Sequence, residues 1–374
     1  MKVGIDTFGC AHGRSGLGSY LMSLLPHLSE DDGITYELFG SEVDRYTYTS
    51  KRAMDYVAVN IPESLPAERL WHQFRLNSFG RRQKYDAILY TAGSRMLPNR
   101  FKIPGVALVN DVVSNLFETS DDRWLRRQIK RGLSKCQCII TSSNYIKKDL
   151  EFSGIDCSRV EVIHNGIDHS VFYPAEPMAL EADVIDIKPF AIKRPYLIYA
   201  SRMQNAEKKH IELINAFADF KKKTGLPHRL VIAGSEDKYG EQVHKAAFSS
   251  PVASDIFITG YFPHEHFPEL YRNADACIFP SVTEGVGLSV LEAMASGLPV
   301  ACSGTGGLPE IAGDNALFFD SDNISDFSAK IEQVVTDKEL RQKLIKGGIE
   351  WSKQYSWENT ARETEKILKT ITQE

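Results

Sequence analysis

Two α/β domains, each built on a doubly wound parallel sheet, are expected from three features of this chain. Short apolar, β-branched runs alternate with amphipathic segments of helix length along most of it. Many of these runs are apolar almost throughout, as in Tyr196-Leu197-Ile198-Tyr199-Ala200. Strands covered by helices on both faces look like that. The alternation breaks once, at 174–195, where Pro174, Pro177, Pro189 and Pro195 stand among scattered acids without a clear period. At 374 residues the chain has room for about two domains, each with its own core.

In chain order, the expected strands are 2–6, 34–39, 56–60, 85–91, 105–110, 136–141 and 160–164, then 196–200, 228–233, 255–259, 276–280, 299–302 and 316–319. Helix-period segments fall between most of them, including 17–28, 121–134, 209–223, 287–296 and 337–353. Right-handed crossovers between parallel strands follow. The proline-rich break is the linker candidate. It places one domain at 1–180 and the other at 190–355, with a hinge and a cleft between them. Ligands of such sheets bind beyond the carboxyl ends of the strands, so the loops after strands are where chemistry is sought.

Composition excludes several classes. Hydrophobic residues make up 43% and charged residues 25%, which fits neither a disordered chain nor a small disulfide scaffold. No window of about 18 residues is free of charge, so no membrane span is expected. The start, Met1 to Asp6, carries an acid too early for a signal peptide. Cys10, Cys136, Cys138, Cys157, Cys277 and Cys302 lack zinc-type spacing and suit a reduced, cytoplasmic protein. The net charge of −5 hides a basic stretch, Arg69 to Lys135, with 14 Lys/Arg against 5 Asp/Glu. That stretch is either a solvated face or a surface for something anionic, such as a membrane or a phosphorylated acceptor. No nucleic-acid module is present in the sequence.

The most informative block runs from Phe279 to Val300. A strand ends near Phe279, a loop carries Glu284, Gly285 and Gly287, and a helix then runs to a stop at Gly297 and Pro299. Glycines at a helix start let backbone N–H groups approach an anion, and the helix dipole favours it. Glu292 lies one turn in from Leu288, in an otherwise apolar stretch. A pair of sugar hydroxyls would partner that carboxylate. The spacing alone is weak, since Glu350 and Glu358 repeat it with no glycine loop. The strand–loop–helix context is what makes the first block specific.

This block resembles the E-x7-E segment of retaining glycosyltransferases of family 4, which have the GT-B fold. Landmarks in the same order extend the resemblance over most of the chain. They are Gly16-Leu17-Gly18-Ser19-Tyr20, Trp71-His72-Gln73, Tyr85-Asp86, Thr141-Ser142-Ser143-Asn144, His164-Asn165-Gly166-Ile167-Asp168, Ser201-Arg202, Lys208-Lys209-His210 and Gly260-Tyr261-Phe262. Only the linker and 40–60 match poorly. The resemblance implies that Glu284 binds hydroxyls of the transferred sugar and Glu292 the ribose of the nucleotide. It implies that amides near Gly287 and Leu288 hold the diphosphate or sugar, and that Gly16 and Gly18 line the donor phosphate and the acceptor. It also implies that the helix at about 356–372 packs back on the first domain.

Arg202 and Lys208, after the strand 196–200, suit a diphosphate leaving group as a fork and a point charge, and with both in place a metal ion is unnecessary. The family frame favours Lys208 over its neighbour Lys209. Base recognition is expected near Tyr261 and Phe262, largely through backbone. A nicotinamide site is disfavoured because Leu21 stands where a third glycine is required. A glycogen-type phosphorylase would need a much longer chain.

The sequence departs from the family at Asn110-Asp111, where His-Asp is usual. Asparagine forms hydrogen bonds but holds no proton at neutral pH. The expected activity is metal-independent hexosyl transfer from a UDP- or GDP-hexose, of glucose or mannose type, to a saccharide or lipid-linked saccharide in polysaccharide or glycoconjugate assembly. The alternative is a catalytically weak nucleotide-sugar-binding subunit that needs a partner. His12 and His164 are read as hydrogen-bonded structural residues, and Asp320-Ser321-Asp322 as a helix cap. The expected location is the cytoplasm, with a peripheral contact at the inner face of the plasma membrane.

Overall fold

A computed structural model describes residues 1–29, 33–50, 52–119, 123–175, 183–187 and 190–373. Two compact units result. The first comprises Met1–Gly166 with Tyr355–Glu374, and the second Ile167–Gln354.

The first unit is a seven-stranded parallel sheet of β1 (Lys2–Asp6), β2 (Thr35–Gly40), β3 (Asp55–Ala58), β4 (Ala87–Tyr90), β5 (Gly105–Val109), β6 (Cys138–Thr141) and β7 (Val160–Val162). The spatial order is β3-β2-β1-β4-β5-β6-β7. The chain therefore reverses direction across the sheet between β1 and β4, which defines a topological switch point. β4 and β5 are buried at every position, as double-sided cover by helices requires. The helix Gly16–Leu24 starts where Ser15 Oγ accepts from Gly18 N at 3.1 Å. The helix Asn144–Phe152 starts the same way, with Ser143 accepting from Ile146 N at 3.2 Å.

The C-terminal helix Trp357–Gln373 belongs to this unit. Trp357 meets Tyr20 edge-on at 5.3 Å, Leu368 and Ile371 enter the core, and Glu365 accepts from Tyr36 OH at 3.1 Å. A strongly amphipathic helix gains its stability from such a buried face.

The second unit holds β10 (Tyr196–Ala200), β11 (Arg229–Ala233), β12 (Ile256–Gly260), β13 (Ala276–Phe279), β14 (Val300–Ser303) and β15 (Leu317–Phe319), all parallel. Their order is β12-β11-β10-β13-β14-β15, so the switch point lies between β10 and β13. Between the two sheets the chain forms an antiparallel hairpin, β8 (Val184–Ile187) and β9 (Phe190–Lys193).

Two features differ from the sequence reading. The stretch 174–195 is not purely a linker, because its apolar alternation over Val184–Ile187 and Phe190–Lys193 is satisfied by the hairpin. Pro177 and Pro189 lie outside the described residues. The first unit also closes at Gly166 rather than near 180. The reason is packing: Phe172 lies against Tyr271, Arg272 covers the Tyr173 ring at 4.5 Å, and Arg272 Nη1 donates to Val171 O at 3.1 Å.

Candidate functional site

In the second unit, the side chains expected to bind a donor follow adjacent strands at the switch point. After β10, the chain passes Arg202, which is exposed, and makes a short 3-10 turn at Ala206–Lys208. That turn is fixed from below, since the buried Tyr199 OH donates to Lys208 O at 2.7 Å. It is fixed from the side by the loop after β13. Val282 N donates to Glu207 O at 3.0 Å, and Thr283 Oγ1 donates to Glu207 Oε2 at 2.6 Å. Lys208 Nζ consequently lies 2.6 Å from Glu284 Oε2, which also accepts from Ser281 Oγ at 3.3 Å. Charge-assisted bonds of this length hold both side chains in place.

Lys209 does not join this cluster. Its backbone is left-handed, at φ 56, and its side chain turns to Glu212 and Asp322. The Asp320-Ser321-Asp322 stretch is tied locally: Asp322 N donates to Asp320 Oδ1 at 3.0 Å, and Ser321 Oγ donates to Pro280 O at 2.7 Å.

The helix Leu288–Ala295 starts at Gly287, whose φ of +67 excludes most side chains. A Cβ there would also sit 2.9 Å from Leu308 Cδ2. No side chain caps this helix, so its first amides keep their donors for another partner. A second glycine pair braces the loop. Gly307 N donates to Glu284 O at 2.7 Å, and a Cβ at Gly306 would lie 2.9 Å from Glu284 O. Glu292, four residues into the helix from Leu288, is half-buried and accepts from Tyr271 OH at 3.5 Å.

His210, at the start of the next helix, is fully buried against Tyr199, with ring centroids 4.8 Å apart. Burial, with the Lys208 charge adding to it, holds its pKa down at about 4, so it stays neutral. Tyr261 and Phe262 separate. Tyr261 is 74% exposed, whereas Phe262 is 3% exposed and stacks on Phe190 at 5.9 Å. The Phe262 side chain is therefore core, and only its backbone is left for recognition.

The first unit places the other expected residues at the carboxyl ends of its own strands. Gly16 is exposed, and a Cβ there would meet nothing within 4 Å, so its backbone is open to approach. Gly18 is different. A Cβ there would lie 2.6 Å from Cys10 O, and its amide is already given to Ser15. Gly18 is therefore a packing position within the turn. Asn110 follows β5, and its buried Oδ1 has no hydrogen-bond partner among the described residues. Ser142 Oγ, at the equivalent position after β6, is orphaned in the same way. An unsatisfied buried polar atom leaves room for a water or another partner. Asp111 is occupied, accepting from Ser94 Oγ at 2.8 Å and Arg95 Nε at 3.1 Å.

Two polar pairs in this unit were not foreseen. Asp6 Oδ2 and His72 Nε2 are 2.7 Å apart, and both side chains are 1% exposed. Burial pulls His72 down, but the Asp6 carboxylate and the Glu68 carbonyl outweigh it, so its pKa stands above its ordinary value. His12 Nδ1 and Asp44 Oδ1 are also 2.7 Å apart. Sequence separations of 66 and 32 residues left no pattern by which to pair them.

Comparison with known proteins matches this arrangement first to a class and then to a family. Solved structures with the same architecture include sucrose-phosphate synthase from Thermosynechococcus elongatus, with a TM-score of 0.76 at 18% identity over 99% of both chains. They also include Anabaena HepE in complex with UDP and glucose, with a TM-score of 0.76 at 17% identity over 99% of this chain and all of that one. The fold is GT-B, a fold of glycosyltransferases. Within the sequence, residues 14–171 match "Glycosyltransferase Family 4" and residues 181–351 match "Glycosyl transferases group 1".

The chain belongs to glycosyltransferase family 4. Among curated relatives, O-antigen chain mannosyltransferase B of Escherichia coli is 32% identical over 266 residues, covering 67% of this chain and 65% of that protein. D-inositol 3-phosphate glycosyltransferase of a Nocardioides species is 30% identical over 224 residues, covering 56% and 48%. The matched part is thus less than two thirds of either relative's length.

Proposed function

We propose that the protein moves a hexose from a nucleotide diphosphate sugar to a saccharide or lipid-linked saccharide, with retention at the anomeric carbon and without a metal ion. The observation that carries this reading is the Lys208–Glu284 pair, 2.6 Å apart at the switch point beside the uncapped helix start at Gly287. Lys208, Arg202 and the amides of Gly287 and Leu288 would hold the diphosphate. The two bonds at Glu284 both fall on Oε2, so Oε1 remains to accept from a sugar hydroxyl. Glu292 would take the ribose. Tyr261 and the backbone of Phe262 would border the base.

In this scheme the acceptor oxygen bonds to C1 on the face from which the phosphate leaves. The C1–O bond to phosphate breaks, and its electron pair departs with the nucleotide diphosphate. The acceptor proton goes to the departing phosphate oxygen. The protein supplies position and charge stabilisation, and a peptide carbonyl or Asn110 itself would support the positive sugar ring. HepE was solved with UDP, with UDP and glucose, and with UDP-glucose, and the Escherichia coli relative is named for mannose. UDP-glucose and GDP-mannose are therefore the donors to try first, and polysaccharide or glycoconjugate assembly is the proposed context.

Asn110 favours a second reading, a nucleotide-sugar-binding subunit with little activity of its own. Nucleotide release from UDP-, GDP- and ADP-sugars, with and without chelator and beside Glu292→Ala, separates the two. Chelator-resistant release from one donor, lost in the variant, supports the transferase. Binding without turnover supports the subunit.

A peripheral membrane location at the inner face of the plasma membrane extends the proposal. No helix among the described residues is long and apolar enough to cross a membrane. Trp124 is 56% exposed on the basic helix Arg123–Lys135, and Phe74 is 75% exposed on the helix Leu65–Phe74. Aromatic side chains beside cationic ones suit an anionic lipid surface. Absence of binding to phosphatidylserine vesicles at low salt would remove this extension.

A further inference from the structure

The turn after β1 is strained. Ala11 and His12 are consecutive non-glycine residues in the left-handed region, at φ 50 and φ 53. Such residues are strained and persist where their surroundings over-determine them. Here the restraints are visible. Gly13 N donates to Tyr48 OH at 3.0 Å, Arg14 N to Ala11 O at 2.9 Å, and Ser15 Oγ to Cys10 O at 2.8 Å.

The strained turn delivers His12 to Asp44. His12 Nδ1 lies 2.7 Å from Asp44 Oδ1, with the Asp44 side chain 4% exposed and the His12 side chain 45% exposed. Thr7 Oγ1 lies 3.3 Å from the other carboxylate oxygen and 3.2 Å from Phe39 O, and its one proton is shared between these acceptors. In the tautomer that gives Nδ1–H to the carboxylate, the lone pair lies on Nε2. Among the described residues Nε2 has no hydrogen-bond partner.

His72 provides the contrast. It uses both ring nitrogens, Nε2 to Asp6 and Nδ1 to Glu68 O at 2.7 Å, and is buried. A histidine that only holds the fold looks like His72. His12 is instead an oriented acceptor at the surface, four residues before the open backbone of Gly16. Its surroundings select the ligand. The Asp44 carboxylate 2.7 Å behind the ring disfavours an anion there and leaves a hydroxyl as the fitting partner.

We infer that His12, oriented by Asp44, accepts a hydrogen bond from a hydroxyl of the saccharide acceptor. The assignment rests on the transferase reading above. Asp44 is then a positioning residue for His12.

The test uses His12→Asn and His12→Gly, both of which tolerate positive φ and so keep the turn. Transfer to methyl α-mannoside and methyl α-glucoside is measured from whichever donor the protein turns over, together with melting temperature. The acceptor KM is expected to rise tenfold or more in His12→Gly and by less in His12→Asn, which retains a carbonyl acceptor. Donor KM should stay within twofold. The Nε2 resonance of His12 in 15N-labelled unaltered protein should shift when the glycoside is added.

Acceptor KM within twofold of the unaltered protein in both variants, a rise in donor KM instead, or an unmoved Nε2 resonance would each overturn the assignment while leaving the transferase reading intact. If a variant melts early, the resonance on unaltered protein decides alone. An unaltered protein that turns over no nucleotide sugar would overturn the transferase reading and this assignment with it.

Discussion

The two units solve the same topological problem with different chemistry. In the second, the loops after β10 and β13 carry a cation and a carboxylate that meet half-buried, at Lys208 and Glu284, with hydrogen bonds from Tyr199, Thr283 and Val282 bracing them. In the first, the corresponding edge holds one fully buried pair, Asp6 with His72, a second pair in which the acid Asp44 is buried and His12 reaches the surface, and unpartnered polar atoms at Asn110 and Ser142. One edge keeps a cation beside the helix start at Gly287. The other pairs its carboxylates with histidines and presents hydrogen-bonding atoms. The first pattern suits a diphosphate and the second a polyol, which is the division of labour the proposed reaction requires.

The largest expected effect lies in the Lys208–Glu284 pair. Lys208→Ala and Glu284→Ala should each lower nucleotide release by about 10²–10³, the scale for losing one preorganised group. Melting temperature should change little, because each side chain is partly solvated. The double variant should be scarcely worse than either single one, since the pair acts as a unit. Additive losses in steady-state assays would break the comparison.

The buried pair in the first unit should behave in the opposite way. Asp6→Ala strands His72 in a site where both side chains are 1% exposed. Removing one partner of such a pair costs about 3–5 kcal/mol. Urea unfolding should show that loss. A loss below 1 kcal/mol would mean the pair is not what holds this edge.

A smaller effect sharpens the comparison through pH. His210 in the second unit titrates at about 4 against an ordinary 6.5 because burial keeps it neutral. The unfolded chain binds the proton first as pH falls, so this stability is complete above about 6.5 and is lost on the way down to 4. The loss is at most about 3 kcal/mol. His72 has the reverse sign. Its raised value makes its contribution largest at low pH and lost as pH rises through the folded value. Unfolding free energy measured from pH 7 to 4.5 should therefore fall less steeply in His210→Phe than in the unaltered protein. An unchanged slope would contradict the neutral, buried assignment.

What could be read from the sequence divides along the same line. All the expected strands formed, because period and apolar runs are local signals. Glu284, Gly287 and Glu292 were legible because strand, loop and helix start lie within one short stretch. The choice of Lys208 over Lys209 was not a matter of spacing. It follows from the left-handed backbone at Lys209, which turns that side chain toward Asp322. The hairpin β8–β9 was hidden by prolines around it, and the packing of Phe262 on Phe190, 72 residues away, had no sequence signal. Asp44 fell in the stretch 40–60 that matched the family least, so its pairing with His12 had no sequence signal.

The most direct test is a crystal structure of the protein with the nucleotide diphosphate of its preferred donor. The account predicts the diphosphate oxygens within hydrogen-bond distance of Lys208 Nζ, the Arg202 guanidinium and the amides of Gly287 and Leu288, with the ribose on Glu292. A nucleotide bound at any other edge, with the Lys208–Glu284 pair unengaged, would contradict it.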